Sequence, residues 1–118
     1  MKEIYAIIRP GRDRAAKEAL ARVGCSTFTS VRVKGRGRQR GLRSSLMGAG
    51  TDTPQFVMMK YLPKKMIYMM VDDWYVKPAI RAIIRANQSG QHGDGKIFVL
   101  EAGEAYRIRT GEKGDKAL

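Results

Sequence analysis

Cysteine and histidine each occur once in 118 residues. A lone thiol, Cys25, cannot close an intramolecular disulfide or anchor a multi-cysteine metal site. The single imidazole, His92, argues against a zinc centre or a histidine-based triad. No apolar run approaches the roughly 20 residues needed to cross a bilayer. The opening Met1-Lys2-Glu3-Ile4 reads as a strand and not as a leader, so the expected address is the cytoplasm. Acid is scarce, with 11 Asp and Glu against 23 Lys and Arg, a formal charge of +12. Repeats at solenoid periods are missing. No nucleophile pairs with a base, so an enzyme is not expected.

What is present is cationic and glycine-rich. A surplus of this size calls for an anionic partner, whether nucleic acid, an acidic protein, a membrane surface or phosphorylated ligands. Hydrophobic residues make up 43% of the chain, enough for the core of one modest domain, 1–118. Gly93-Asp94-Gly95-Lys96 runs directly into Ile97-Phe98-Val99-Leu100. Glycines let a backbone approach a ligand closely, and the lysine adds a mobile point charge for phosphate. Gly35-Arg36-Gly37-Arg38-Gln39-Arg40-Gly41 and Arg107-Ile108-Arg109 are two further basic elements. Together they suggest one polyanion site, most simply for a nucleotide.

Along the chain, Lys2 to Pro10 alternates, with Ile4, Ala6 and Ile8 on one face and Tyr5 and Ile7 on the other, as in a central strand. Ala15, Ala16, Ala19, Leu20 and Val23 recur at helical spacing from about Arg12, and Gly24 closes that helix. Ser26 to about Arg36 reads as a second strand. From about Gly37 to Pro54 no period is visible, and loops of that length are usually functional. Gln55 to Leu62 suggests a strand running back from the loop, and Lys65 to Val71 a buried strand. Asp72-Asp73 is expected to cap a helix reaching about Asn87, with Val76, Ala79, Ile80, Ile83 and Ile84 on its core face and Pro78 near its start. Gln88 to Gly95 is a loop, and Lys96 to about Ala105 the last strand. The order β-α-β-β-α-β predicts an α+β, ferredoxin-like plait. One face of its sheet needs a cover, which oligomerisation supplies.

These residues resemble the PII signal-transduction proteins from end to end. The resemblance rests on Met1-Lys2-Glu3-Ile4 with Ala6-Ile7-Ile8, Gly35-Arg36-Gly37-Arg38-Gln39, Leu62-Pro63-Lys64, Val71-Asp72-Asp73, Gly93-Asp94-Gly95-Lys96-Ile97-Phe98-Val99 and Arg107-Ile108-Arg109-Thr110-Gly111-Glu112. It implies a trimeric barrel of plaits, each with a long T-loop (about 37–57), a B-loop (about 88–96) and a C-terminal loop (about 106–118). It further implies ATP or ADP in clefts between subunits, and 2-oxoglutarate beside Mg²⁺ and ATP.

By the same resemblance, Gly93, Asp94, Gly95 and Lys96 hold phosphates, with Gly35, Gly37, Arg38 and Gln39 at the base of the T-loop. Arg107 and Arg109 add charge from the neighbouring subunit, and Thr29 and Met70 line the adenine and ribose pocket. Gln39, Arg40, Gly41 and Lys64 are the implied 2-oxoglutarate set, and Gln39 also reaches the Mg²⁺. The position uridylylated in enteric relatives is Thr51 here, and the one phosphorylated in cyanobacterial relatives is Ala49, so uridylylation is not expected. The longer loop, its arginine run and Asn87-Gln88-Ser89-Gly90 look most like the second, longer-looped type of the NifI branch. Those proteins work in pairs of two types and inhibit dinitrogenase by contact, which 2-oxoglutarate with ATP relieves. An ammonium transporter is the alternative target.

Other features have plainer readings. Arg32, Lys34, Arg36, Arg38, Arg40 and Arg43 form a run that keeps an edge soluble; Arg36, Arg40 and Arg43 are candidates for contact with an acidic partner. Met58, Met59, Met66 and Met69 read as core filling. Cys25 reads as a small buried residue, His92 as a solvent-facing loop residue, and Trp74 as packing or a subunit contact. A basic nucleic-acid-binding plait is the competing class, but the strands lack the aromatic pattern that stacks bases.

Overall fold

The computed structural model describes residues 1–37, 42–46, 55–59 and 61–118, the two middle segments as backbone strands. The alternation at the start becomes β1, Lys2–Ile8, with Ile4, Ala6 and Ile8 buried. A short 3-10 turn at Pro10–Arg12 leads into helix α1, Asp13–Arg22. Gly24, at φ +88°, ends it. Its amide bonds the Ala21 carbonyl at 3.1 Å, and the Cys25 amide bonds the Leu20 carbonyl at 2.9 Å. That pair of reverse bonds satisfies two otherwise orphaned carbonyls and sends Cys25 into the core beside Leu20.

Strand β2 is Thr29–Gly35, and β5 is Leu62–Val71. Between them, β3, Leu42–Leu46, pairs with β4, Gln55–Met59, in a separate two-stranded ladder. A strand at 55–62 was expected to run back from a loop without a period. The observed strand stops at Met59 and has a partner inside that loop. Hairpin pairing is a relation between two segments, and neither one's periodicity reveals it. The expected strand at 65–71 begins at Leu62 because Leu62, Pro63 and Lys64 pair with Gly35, Lys34 and Val33. Pro63 is tolerated there because β1 joins β5 only from Lys65 onward.

Helix α2, Asp73–Asn87, continues through Pro78. Asp72 occupies its N-cap position with extended backbone, but no side-chain capping bond forms. Asp73 Oδ1 instead accepts from the Met1 amino group at 2.6 Å, so the capping expectation is corrected in favour of a tie to β1. The buried face is Ala79, Ala82, Ile83 and Asn87, whereas Ile84 is exposed. Strand β6, Gly95–Glu101, ends short of the expected Ala105. Its partner β1 runs out: Glu101 is opposite Lys2, and the Ala102 amide makes the last bond, to the Met1 carbonyl.

The main sheet is antiparallel with order β2-β5-β1-β6, and both central strands are those read as apolar on two faces. Its helix-side face packs Ile4, Ala6, Ile8, Ile67, Met69 and Val71 against Ala16, Leu20, Ala79 and Ile83. The opposite face carries Tyr5, Ile7, Met66, Tyr68, Phe98 and Leu100, with Phe98 52% and Leu100 46% accessible. This is an α+β plait of the ferredoxin-like kind.

Candidate functional site

The Gln88–Asp94 loop joins α2 to β6. At its end, Gly93 and Gly95 have φ of +95° and +113°. Gly95 is opposite Ile8, and a Cβ there would lie 1.8 Å from the Ile7 carbonyl oxygen. Only glycine fits that approach, which is the physical reason for the second glycine of the motif.

Asp94 holds the loop together. Its Oδ2 accepts from the Ser89 and Gly90 amides at 2.8 and 3.0 Å, and its Oδ1 from the Ser89 hydroxyl at 2.5 Å. Arg9, just beyond β1, clamps the same loop. Its Nη1 donates to Asp94 Oδ1 at 2.5 Å and to Ser89 Oγ at 3.2 Å, and its Nη2 to the His92 carbonyl at 2.8 Å. Donors on this carboxylate, the Ser89 hydroxyl first, bring its pKa down to about 2. The Asp94 side chain is thus engaged within the chain.

Lys64, on β5, donates to the Gly93 carbonyl at 2.6 Å. Burial, helped by the nearby Arg9 guanidinium, lowers its pKa, and Asp94 pulls the other way. Lys96 is exposed, and no ion pair involves it among the described residues. The ladder sets Lys96 opposite Ile7, and Ile7 opposite Met66. Directly opposed residues share a face, so Thr29, Gly35, Lys64, Met70 and Lys96 all stand on the face away from the helices.

They do not stand together. Gly35, Lys64 and Lys96 cluster at the loop end of the sheet, whereas Thr29 and Met70 lie six residues further along their strands, about 20 Å away. Arg107 and Arg109 follow β6 from that far end. Arg107 is tied locally, to Glu112 Oε2 at 3.3 Å and to the Leu118 carbonyl at 3.1 Å, and Arg109 is exposed. Arg36 and Gly37 are exposed just past β2. Arg38, Gln39, Arg40 and Gly41 lie outside the described residues, as does the Arg43 side chain. Among the described residues no group of three or more His, Cys, Asp or Glu could hold a metal ion.

Arg9 was not singled out in the sequence, and Ser89 only as part of the Asn87-Gln88-Ser89-Gly90 run. Their role follows from the β1–β6 register, which brings residue 9 beside a loop 80 positions later. No local pattern carries that pairing.

The structure is thus a ferredoxin-like plait whose loop before the last strand is glycine-built and braced by Arg9 and Asp94. The chain matches the model of the family described as Nitrogen regulatory protein P-II over residues 1–112, and it belongs to that family. It is 40% identical over 126 residues to the "Nitrogen fixation nifHD1 region GlnB-like protein 2" of Methanosarcina barkeri, covering 100% of this chain and 99% of that protein. It is 39% identical over 122 residues to the corresponding nifHD-region protein of Methanothermobacter marburgensis, with 100% of both chains covered. With the "Nitrogen regulatory protein P-II" of Rhodospirillum rubrum it shares 44% identity over 118 residues, again covering both chains in full. The chain is therefore a PII-type nitrogen regulatory protein, with relatives named for the nitrogen-fixation region. No described helix is long and apolar enough to cross a membrane.

Proposed function

We propose that this chain is a cytoplasmic, non-enzymatic sensor that binds ATP or ADP together with 2-oxoglutarate and controls nitrogenase by contact through the 37–57 loop. The observation that carries the reading is the braced loop. Gly93 and Gly95 expose backbone there, Asp94 is occupied internally, and Lys96 stands unpaired beside it among the described residues. Those features suit the phosphates of a nucleotide. With no carboxylate cluster to hold Mg²⁺ among the described residues, the cation would come with the phosphates and Gln39. Lys64, already at the Gly93 carbonyl, would give its ammonium to a carboxylate of 2-oxoglutarate.

The separation of Lys64 and Lys96 from Thr29, Met70 and Arg109 supports assembly. One chain supplies the phosphate end of a cleft and a neighbour supplies the base-lining end. The uncovered apolar sheet face gives the same chains a reason to associate. Homotrimer and hetero-oligomer with a paired PII-type chain both satisfy this geometry. In the sensing step the protein has two states, and ligand contacts made in one only shift the balance.

Calorimetric titration of ATP, with and without 2-oxoglutarate and Mg²⁺, tests the reading. The expected result is micromolar binding, about −8 kcal/mol, tightened by 2-oxoglutarate. Lys96→Ala should weaken it by about 1.5–3 kcal/mol. Binding indifferent to 2-oxoglutarate would remove the carbon-sensing role, and no ATP binding by the assembled protein would remove the site.

A further inference from the structure

On the side of the molecule away from the open sheet face, α1 and α2 enclose a groove of about 590 Å³. The two helices build it with the same spacing. Ala15 and Ala19 of α1, and Ala82 and Ala86 of α2, recur one turn apart and form its floor. Arg22, Arg81 and Arg85, all exposed, form its rim. The rim's one acid, Glu18, is bonded to Arg14 at 3.1 Å. No ion pair involves Arg22, Arg81 or Arg85 among the described residues.

We infer that this groove is a second docking surface, independent of the nucleotide reading, and that its occupant is an acidic amphipathic helix of a partner protein. Arg81 and Arg85 are separated by one helical turn, about 6 Å along the axis. Glu residues spaced i, i+4 on a partner helix repeat at the same pitch. The alanine floor lets another helix approach closely, so that its leucine-sized side chains fill the groove and exclude water around the ion pairs. A second copy of this chain is disfavoured because its own helices offer no acids at i, i+4: α1 holds Asp13 and Glu18, and α2 only Asp73. A phosphodiester backbone would satisfy the arginines but leave the apolar floor empty, and a bilayer surface is too flat to enter a recess between helices.

The test uses the full chain and a fluorescein-labelled amphipathic peptide of about 18 residues, about five turns. Its apolar face is leucine, and Glu pairs at i, i+4 flank that face. Fluorescence anisotropy should show saturable binding, weakened by salt and about tenfold or more by the double substitution Arg81→Glu/Arg85→Glu. Both positions are exposed, and an unchanged circular dichroism spectrum and melting point would confirm that the variant is folded. Ala86→Gln, which narrows the floor without changing charge, should also weaken binding. Equal binding of a peptide with Lys in place of Glu would overturn the proposal. So would equal binding of unstructured poly-glutamate, because charge alone would then suffice. The proposal also fails if binding is absent or insensitive to these variants. Preference for a DNA duplex or anionic vesicles over the acidic helix would overturn it too, assigning the arginines to those partners.

Discussion

Arg9 and Asp94, 85 positions apart in sequence, meet at 2.5 Å and close the loop that precedes β6. Arg9 also reaches the His92 carbonyl, while Asp94 collects the Ser89 and Gly90 amides. The loop is therefore held in shape before any ligand arrives. Preorganisation of this kind lowers the ordering cost of binding. Arg9→Ala is expected to weaken ATP binding by about 1–3 kcal/mol while leaving the fold intact, as read by calorimetry alongside circular dichroism. Arg9→Lys should recover only part, because a point charge cannot span Asp94 and the His92 carbonyl with a fork. Unchanged affinity in Arg9→Ala would show that the loop is rigid without it.

Acid should loosen the same loop. The folded pKa of Asp94 is about 2, below the ordinary aspartate value of about 3.9. A depressed folded pKa means that the stabilisation is present above the unfolded value and lost as pH falls through the folded one. The Ser89 and Gly90 amides should shift in NMR spectra and exchange faster between about pH 4 and about pH 2. Asp94→Asn should abolish that titration while retaining weaker bonds. An identical profile in the variant would assign the transition elsewhere.

Gly95→Ala should be among the most damaging single changes in the chain. Its methyl would meet the Ile7 carbonyl at 1.8 Å in a backbone conformation of φ +113°. The β1–β6 ladder must open locally to accept it. A loss of about 3 kcal/mol or more is expected, with the melting point lowered by about 10 °C or more. A melting point within a degree or two of the parent would show that β6 shifts without cost.

Leu20→Ala tests the core. Leu20 is fully buried and anchors the end of α1 through the Cys25 amide. Truncation should cost about 2–5 kcal/mol by chemical denaturation. Cys25 is a built-in reporter, since it is buried and burial pushes its thiol pKa up. Alkylation should be slow in the parent and track unfolding in the variant. Fast alkylation of the folded parent would contradict the burial.

The split of the candidate residues predicts complementation. Lys96→Ala and Arg109→Ala damage opposite ends of the sheet. Each variant alone should bind ATP poorly. Unfolded and refolded together, they should regain a fraction of sites, because some clefts combine two intact ends. No recovery in demonstrably mixed assemblies would mean that each chain carries a complete site.

The strands of the main sheet, both helices and the role of Gly24 were legible in the sequence. Each rests on a local relation, namely period two, period 3.6, or a glycine where a helix must end. The glycine turn before β6 was legible for the same reason, since Gly93 and Gly95 are contiguous with the start of that strand. Ile84 was misassigned to the core because a helical stripe does not say where the sheet beneath it ends: Ile84 lies over the β6 edge, beside Ile97 and Val99, and is exposed. Asp73 reads as a cap from its place at the start of the helix, whereas its bond to the Met1 amino group joins residues 72 positions apart and leaves no local trace.

Composition, charge and local pattern alone determined an α+β plait with a glycine-built turn before its last strand, a cationic surplus and no intramolecular disulfide. Only the tertiary structure decided that Arg9 clamps that loop, that Asp94 is occupied within it and that Lys64 reaches the Gly93 carbonyl. It alone put Thr29 and Met70 at the far end of the sheet from Lys96. The physical reason is register: strand pairing joins residues distant in sequence, and a hydrogen-bond ladder specifies those meetings in space while leaving no periodic trace in either strand.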